Sequence, residues 1–199
     1  MKTLIVQYTP RGDLSNTKKI LDAFIRKARN VEVLDLTVDR PDMLMPENLN
    51  SIFKKNWMGK ELTQDEAKHV AKIYSMTDQL ISADHVVVAF PTYNYSVPAA
   101  VKAWLDSVII NNQTFVLTDK GYVGKLKGKG LVINTAGGVF TGEMAKNEHA
   151  VSLAKGDLEF MGLTVETVTA HGLNMLPNPE KIVENAMKDA EAVAARWYK

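Results

Sequence analysis

Short apolar runs alternate with stretches of helical periodicity along the whole chain. The clearest run is Val86 to Phe90, five consecutive apolar residues, too few for a helix and halted by Pro91, which has no N–H to give a sheet. It reads as a buried strand. Beyond a polar, aromatic loop, Val97, Val101, Trp104, Leu105, Val108 and Ile109 recur at helical spacing, with Ser96 the expected N-cap and Pro98 tolerated in the first turn.

The same alternation starts at the amino terminus. Leu4 to Val6 gives a first strand, and Ile20, Leu21, Phe24, Ile25 and Ala28 a helix that opens at Ser15, Asn16 and Thr17. Val31 to Leu36 is a second strand, less fully buried because it carries Glu32 and Asp35. Thr63 with Glu66 is a capping box for a helix with Ala67, Val70, Ala71, Tyr74 and Ile81 on one face. Gly130 to Thr135 supplies a fourth strand, about Asn147 to Met161 a helix interrupted by Gly156, and Leu163 to Thr169 a fifth strand. Asn178 and Pro179 form the expected cap and first turn of a last helix, with Val183, Ala186, Ala190, Val193 and Trp197 inward. Two segments break the rhythm. Asp39 to Gly59 is irregular yet rich in methionine and carries Phe53 and Trp57, so it is expected to pack over a site, against another subunit, or as a satellite cluster. Asn111 to Lys129 is turn-rich, with AspLysGly suited to a hairpin.

Five strands alternating with helices predict an α/β, doubly wound parallel sheet with helices on both faces, because parallel neighbours need crossover connections of one hand. The loops after the first, third and fourth strands carry the chemistry. In the order 2-1-3-4-5 those strands are neighbours, and their loops meet at the carboxyl edge. The 199 residues, 46% of them apolar, suit one core, so 1–199 is expected as a single domain. A net charge of +1 leaves no basic field for nucleic acid or an anionic membrane. Without cysteine there is no disulfide, thiolate nucleophile or thiolate metal site, and His69, His85, His149 and His171 lack metal-site spacing. The amino terminus has an apolar run far shorter than a signal peptide, and no segment reaches transmembrane length; a cytoplasmic protein is expected.

Ser15, Asn16 and Thr17 at a helix N-terminus serve either as ordinary caps or as a phosphate cradle, where unpaired N–H groups and the helix dipole favour negative charge. Arg11 adds a cation or is solvated. Pro91, Thr92, Tyr93, Asn94 and Tyr95 offer aromatic and amide groups. In Thr135, Ala136, Gly137, Gly138 and Phe140 the paired glycines either let a ligand approach the backbone or make a tight turn. A phosphorylated, flat, polar-edged ring satisfies all three loops, and flavin mononucleotide (FMN) has that shape.

These residues resemble the motifs of bacterial FMN-dependent NADH azoreductases and NADH:quinone oxidoreductases, in the flavodoxin-like superfamily, over essentially the whole chain. The carriers are Thr9 with Ser15, Asn16 and Thr17; ProThrTyrAsnTyr at Pro91 to Tyr95; and ThrAlaGlyGly at Thr135 to Gly138. The resemblance implies a flavodoxin-like fold, with Ser15, Asn16 and Thr17 on the phosphate, Thr92 to Tyr95 along the ring, and Gly137 and Gly138 donating to its pyrimidine edge. It places Phe160, with Tyr93 and Tyr95, near the substrate. Ala136 and Phe140 stand where some members carry polar residues. It further implies that no side chain acts as a nucleophile, that NADH or NADPH is the hydride donor, and that quinones or azo compounds take the electrons in a ping-pong cycle. A homodimer with flavin at the interface is implied too, and Phe53, Trp57 and Phe115 are candidate walls. The rival readings are a flavodoxin-like electron carrier without NAD(P)H activity and a flavin-free α/β binding module.

Overall fold

The computed structural model describes residues 1–199. Strand β1 (Thr3–Gln7) leads through a turn to α1 (Asn16–Ile25), then β2 (Val31–Asp35). Helix α2 (Pro46–Ile52) runs into a π-helical turn at Phe53–Trp57, and α3 (Gln64–Ile81) follows. Next come β3 (His85–Pro91), α4 (Ala99–Val108) and a hairpin of β4 (Phe115–Thr118) and β5 (Gly121–Gly124). The chain finishes with β6 (Lys129–Thr135), α5 (Val151–Phe160), β7 (Thr164–Ala170) and α6 (Pro179–Trp197).

The sheet has the order β2-β1-β3-β6-β7 with every pair parallel, which is 2-1-3-4-5 once the separate β4–β5 hairpin is set aside. Alternation of side chains divides the core. Leu4, Val6, Val86, Val88, Phe90 and Val132 face α3, α4 and α5, whereas Ile5, Val87, Ala89, Leu131 and Ile133 face α1 and α6. A one-residue slip of β3 would exchange the two sets, so burial on both faces fixes its register. Phe24 on α1 and Leu105 on α4 have no exposed surface, and burying each side chain contributes about 1.5–3 kcal/mol.

Several expectations are corrected. The segment from Asp39 to Gly59 is largely helical: Pro46 starts α2, and the Asn48 side chain accepts from Met45 N at 2.8 Å and donates to Met43 O at 2.8 Å. The buried positions of α2 are Asn48, Ser51 and Ile52, helically spaced but mostly polar, so hydrophobic periodicity misses them. The capping box at Thr63 and Glu66 is formed, yet α3 turns Val70, Ile73, Met76, Thr77 and Leu80 inward while Ala67, Ala71 and Ile81 are exposed. Ser96 does not cap α4; Pro98 holds that position without a side-chain bond. Helix α5 begins only at Val151, after a 3-10 turn at Gly142–Asn147, and continues through Gly156, which faces open space. Asn178 precedes α6 in the left-handed region, at φ 57°, and its side chain makes no cap, although Pro179 opens the helix as expected. No helix is long and apolar enough to cross a membrane.

Candidate functional site

The loops after β1, β3 and β6 do meet, in an open cleft of about 230 Å³ at the carboxyl edge of the sheet. Gly12 N donates to Thr9 O and Ser15 N to Gly12 O, winding residues 9–15 into a compact turn that points the start of α1 at the cleft. The Ser15 hydroxyl accepts from Lys18 N at 3.3 Å, so Ser15 is the true N-cap. Lys18 itself is held by Asp22 at 2.8 Å, and that bond keeps its ammonium above the ordinary lysine pKa. Arg11 lines the cleft and has no acidic partner. A helix N-terminus beside a free guanidinium is suited to an anion.

The second wall is a strained turn. Tyr93 N donates to Ser96 O and Ser96 N to Tyr93 O, both at 3.0 Å, with Asn94 at φ 49° and Tyr95 at φ 69°. Positive φ at both central positions is the mirror-image tight turn; asparagine accepts it readily and tyrosine does not. This turn explains why Ser96 is unavailable to α4. Tyr95 O accepts from His149 N at 3.0 Å, which ties the turn to the segment before α5. There Glu148 takes up the N–H groups of Ala150, Val151 and Ser152. Burial works to raise the Glu148 pKa, but those backbone donors outweigh it and hold it below the ordinary value. The N-terminus of α5 is therefore already neutralised by its own chain, unlike that of α1.

The third wall is the glycine loop. Ala136 O and Gly137 O accept from Leu173 N and Asn174 N, and Gly138 O from Gly172 N, extending the β6–β7 pairing past the strand ends. Gly137 N and Gly138 N have no acceptor within the chain. At Gly137 a Cβ would run into the side-chain amide of Asn174, so any larger residue there would displace that amide from the cleft wall.

Beneath these walls lies a polar layer. Asn134, with no exposed surface, donates through Nδ2 to Phe90 O at 3.0 Å and accepts through Oδ1 from Thr92 Oγ1 at 3.0 Å and His171 Nε2 at 2.8 Å. That acceptor places the His171 proton on Nε2. Burial holds the His171 pKa below the usual histidine value, opposed only weakly by Glu148. The His171 ring also packs edge-on against Phe140, with centroids 5.2 Å apart, and Phe140 against Tyr95 at 6.3 Å.

The structure thus brings together Ser15, Asn16, Thr17, Pro91, Thr92, Tyr93, Thr135, Ala136 and Gly137 as cleft-lining residues. Thr9 is buried at the start of the first turn, and Asn94, Tyr95, Gly138 and Phe140 border the cleft without lining it. Phe160 lies elsewhere, at the far end of α5, about 15 Å long by its ten residues, packed on Phe115 at 5.0 Å and Tyr122 at 5.8 Å. Sequence reasoning missed Leu173 and Asn174, which close the cleft from the loop after β7, and Asn134, whose signal was a lone amide inside an apolar strand. No three metal-ligating side chains come together.

The family model described as a flavodoxin-like fold matches residues 1–194. The FMN-dependent NADH:quinone oxidoreductase of Azospirillum brasilense is 32% identical, with 98% of each chain covered. Among solved structures, an azoreductase from Bacillus anthracis str. Sterne superposes with a TM-score of 0.90 at 29% identity, covering 98% of this chain and all of its own. An FMN-dependent NADH-azoreductase from Bacillus anthracis str. Ames Ancestor, solved in complex with FMN, gives 0.86 at 27% identity over the full length of both chains.

Proposed function

The chain belongs to the FMN-dependent NADH:quinone oxidoreductases of the flavodoxin-like fold, and on that premise we propose that it carries electrons from NADH or NADPH through FMN to quinones or azo compounds. The observation that carries the reading is the convergence of three loops on one cleft, with the unpaired Asn16 and Thr17 N–H groups of α1 at one end and those of Gly137 and Gly138 at the other. These features fit FMN. Ser15, Asn16 and the first turn of α1 would hold the phosphate, with Arg11 as counter-charge. Thr92 and Tyr93 would line the ring, and the N–H groups of Gly137 and Gly138 are free to donate to its polar edge. When bound, FMN supplies a ring that accepts a hydride equivalent and passes on two electrons, chemistry that no side chain here provides.

The chain's own work is binding and electrostatics. Fixed donors at Gly137 and Gly138 favour negative charge on the group they meet, and they are set in advance by the Gly172, Leu173 and Asn174 ladder. Tyr93 and Tyr95, both partly exposed, cover the cleft mouth and present flat apolar surface to nicotinamide and acceptor, which take the same place in turn. The reading treats 1–199 as one FMN-binding domain working in the cytoplasm, where the pyridine nucleotide is supplied.

It also makes the chain a homodimer. Buried Phe115 gathers Phe160, Tyr122 and Trp57 at centroid distances of 5.0, 5.7 and 6.4 Å, and Phe53 stacks on Trp57, so that four exposed rings form an aromatic patch around it, none of them lining the chain's own cleft. Exposed apolar patches of this kind mark association surfaces. Across a two-fold axis such a patch reaches the partner's cleft, which gives Phe160 its substrate contact in trans.

Purified protein is the test. A yellow chromophore that NADH bleaches without oxygen, and benzoquinone restores, is expected. Bound FMN that NADH cannot bleach makes the protein an electron carrier instead, and no affinity for FMN removes both flavin readings. Sedimentation of a fully active monomer would overturn the dimer.

A further inference from the structure

A second cavity opens on the α4 side of the cleft, and the two meet at Pro10. At about 440 Å³ it is the larger, and of a size that holds small molecules. Tyr8 and Leu36 form its base, Ala100 and Ala103 of α4 one wall, and Pro41 with Met43 the other. The space stays open because α4 presents methyl groups where longer side chains would fill it. Its far wall is fixed in place. Asp35 Oδ1 accepts from Thr37 N at 2.9 Å and Thr37 Oγ1 at 2.7 Å, Lys72 pairs with Asp39 at 2.7 Å, and Ser107 Oγ donates to Asp42 O at 3.2 Å.

Charge selects the occupant. Arg40 lines this cavity and its guanidinium has no carboxylate partner. Asp39 is engaged by Lys72, Asp35 by Thr37 and by Gln7 Nε2 at 2.7 Å, and Asp42, between Pro41 and Met43, is not among the lining residues. The Thr37 hydroxyl is likewise spent on Asp35. What remains is apolar surface, the Tyr8 hydroxyl and one free cation with the forked donors that match a carboxylate or sulfonate.

We propose that this cavity is an acceptor subsite, which takes an aryl ring carrying a carboxylate or sulfonate, the ring against Tyr8, Leu36 and the alanines and the anion on Arg40. The inference rests on the flavin reading of the adjacent cleft, since the reducible part of the same molecule extends past Pro10 into it. The two spaces are immediate neighbours: they share Pro10, and Tyr8 of one and Tyr93 of the other meet edge to face with centroids 6.3 Å apart. The adenosine half of a pyridine nucleotide is the poorer match: its ribose hydroxyls and pyrophosphate need several donors, and one guanidinium is present.

The test is calorimetric binding of 2-naphthalenesulfonate and of neutral 2-naphthol to the flavin-loaded protein and to Arg40→Gln and Ala103→Leu variants. Arg40→Gln is expected to weaken the sulfonate at least tenfold and leave naphthol unchanged, whereas Ala103→Leu weakens both. Flavin content and bleaching by NADH stay as in the parent. Equal sulfonate affinity in parent and Arg40→Gln overturns the proposal. So does displacement of the sulfonate by ADP-ribose together with a raised KM for NADH in Arg40→Gln, which assigns the cavity to the nucleotide. Sulfonate binding by monomer but not by dimer overturns it in favour of a second copy of the chain. A protein without FMN affinity would fail the flavin reading separately, and naphthalenesulfonate titrated into the flavin-free parent and Arg40→Gln would still report on Arg40.

Discussion

Thr17 and Thr135 share a hydroxyl-to-hydroxyl hydrogen bond of 2.6 Å under the cleft, joining the first turn of α1 to the end of β6. Thr17 has no exposed surface and Thr135 very little, so the two hydroxyls satisfy one another and brace the loops that would hold phosphate and ring. Thr17→Val keeps the shape and deletes one partner. Leaving the Thr135 hydroxyl buried and unpaired is expected to cost about 1–3 kcal/mol of stability, read from urea denaturation of the flavin-free protein. A variant as stable as the parent would show that the bond is not a brace.

Asn134 holds both cleft walls from below, through Thr92 and His171. Asn134→Leu leaves the half-buried Thr92 and His171 donors without their acceptor, at a combined cost of about 1–3 kcal/mol. The expected result is a markedly lower melting temperature with weaker FMN retention. If Thr92→Val, which removes only one of those donors, weakens FMN as much as Asn134→Leu, the His171 arm of the network is idle.

Strand order and the meeting of three loops were legible in the sequence because burial on both faces forces unbroken apolar runs such as Val86 to Phe90, and the parallel order then fixes which loops adjoin. Helix α2 was not, since its inward residues Asn48 and Ser51 are polar and earn burial by hydrogen bonding. Ser96 looked like a cap because it directly precedes the helically spaced run that begins at Val97, whereas α4 starts only at Ala99. Its backbone is instead consumed by a turn that demands left-handed φ at a tyrosine, which no propensity rule anticipates. Asn134 and His171 were hidden differently: a polar network is read from who meets whom, and β6 and β7 bring them together from 37 residues apart.

The Tyr93 to Ser96 turn separates backbone from side-chain effects. Asn94→Ala would mix the two, because alanine pays about 1–2 kcal/mol in the left-handed region. Asn94→Gly removes the amide alone, at φ 49° where glycine is at ease. If the amide bonds the flavin, Asn94→Gly loosens FMN by up to about tenfold, the worth of one neutral hydrogen bond, measured by fluorescence of released flavin. Unchanged release would assign Asn94 to turn geometry only.

Tyr95→Gly carries the opposite balance. It relieves a bulky residue held at φ 69° and deletes the ring that packs on Phe140. Flavin content is expected to persist while relative kcat/KM for quinone and azo acceptors shifts, since the lost ring borders the cleft mouth. Parallel changes for every acceptor would place Tyr95 outside the substrate's reach.

His85 makes the fold acid-sensitive from the other end of the sheet. Its Nδ1–H donates to Asp84 O at 2.8 Å, its ring lies 4.8 Å from Trp197 and 5.6 Å from Tyr198, and Nε2 is buried without a partner. A proton on Nε2 would find no acceptor there. Burial is the main cause that holds the His85 pKa below the ordinary value; the hydrogen bond to Asp84 O opposes it, and nearby Lys129 adds a smaller push in the same direction as burial. A histidine with a depressed folded pKa contributes its full stability above the unfolded value, about 6.5, and loses it as pH falls through the folded one. His171 is shifted in the same direction, so wild-type protein sums two such losses. His85→Phe removes one of them. Urea midpoints at pH 8 and pH 5 should therefore converge in His85→Phe relative to the parent, and an equal drop in both proteins would assign the acid sensitivity to His171 and the carboxylates.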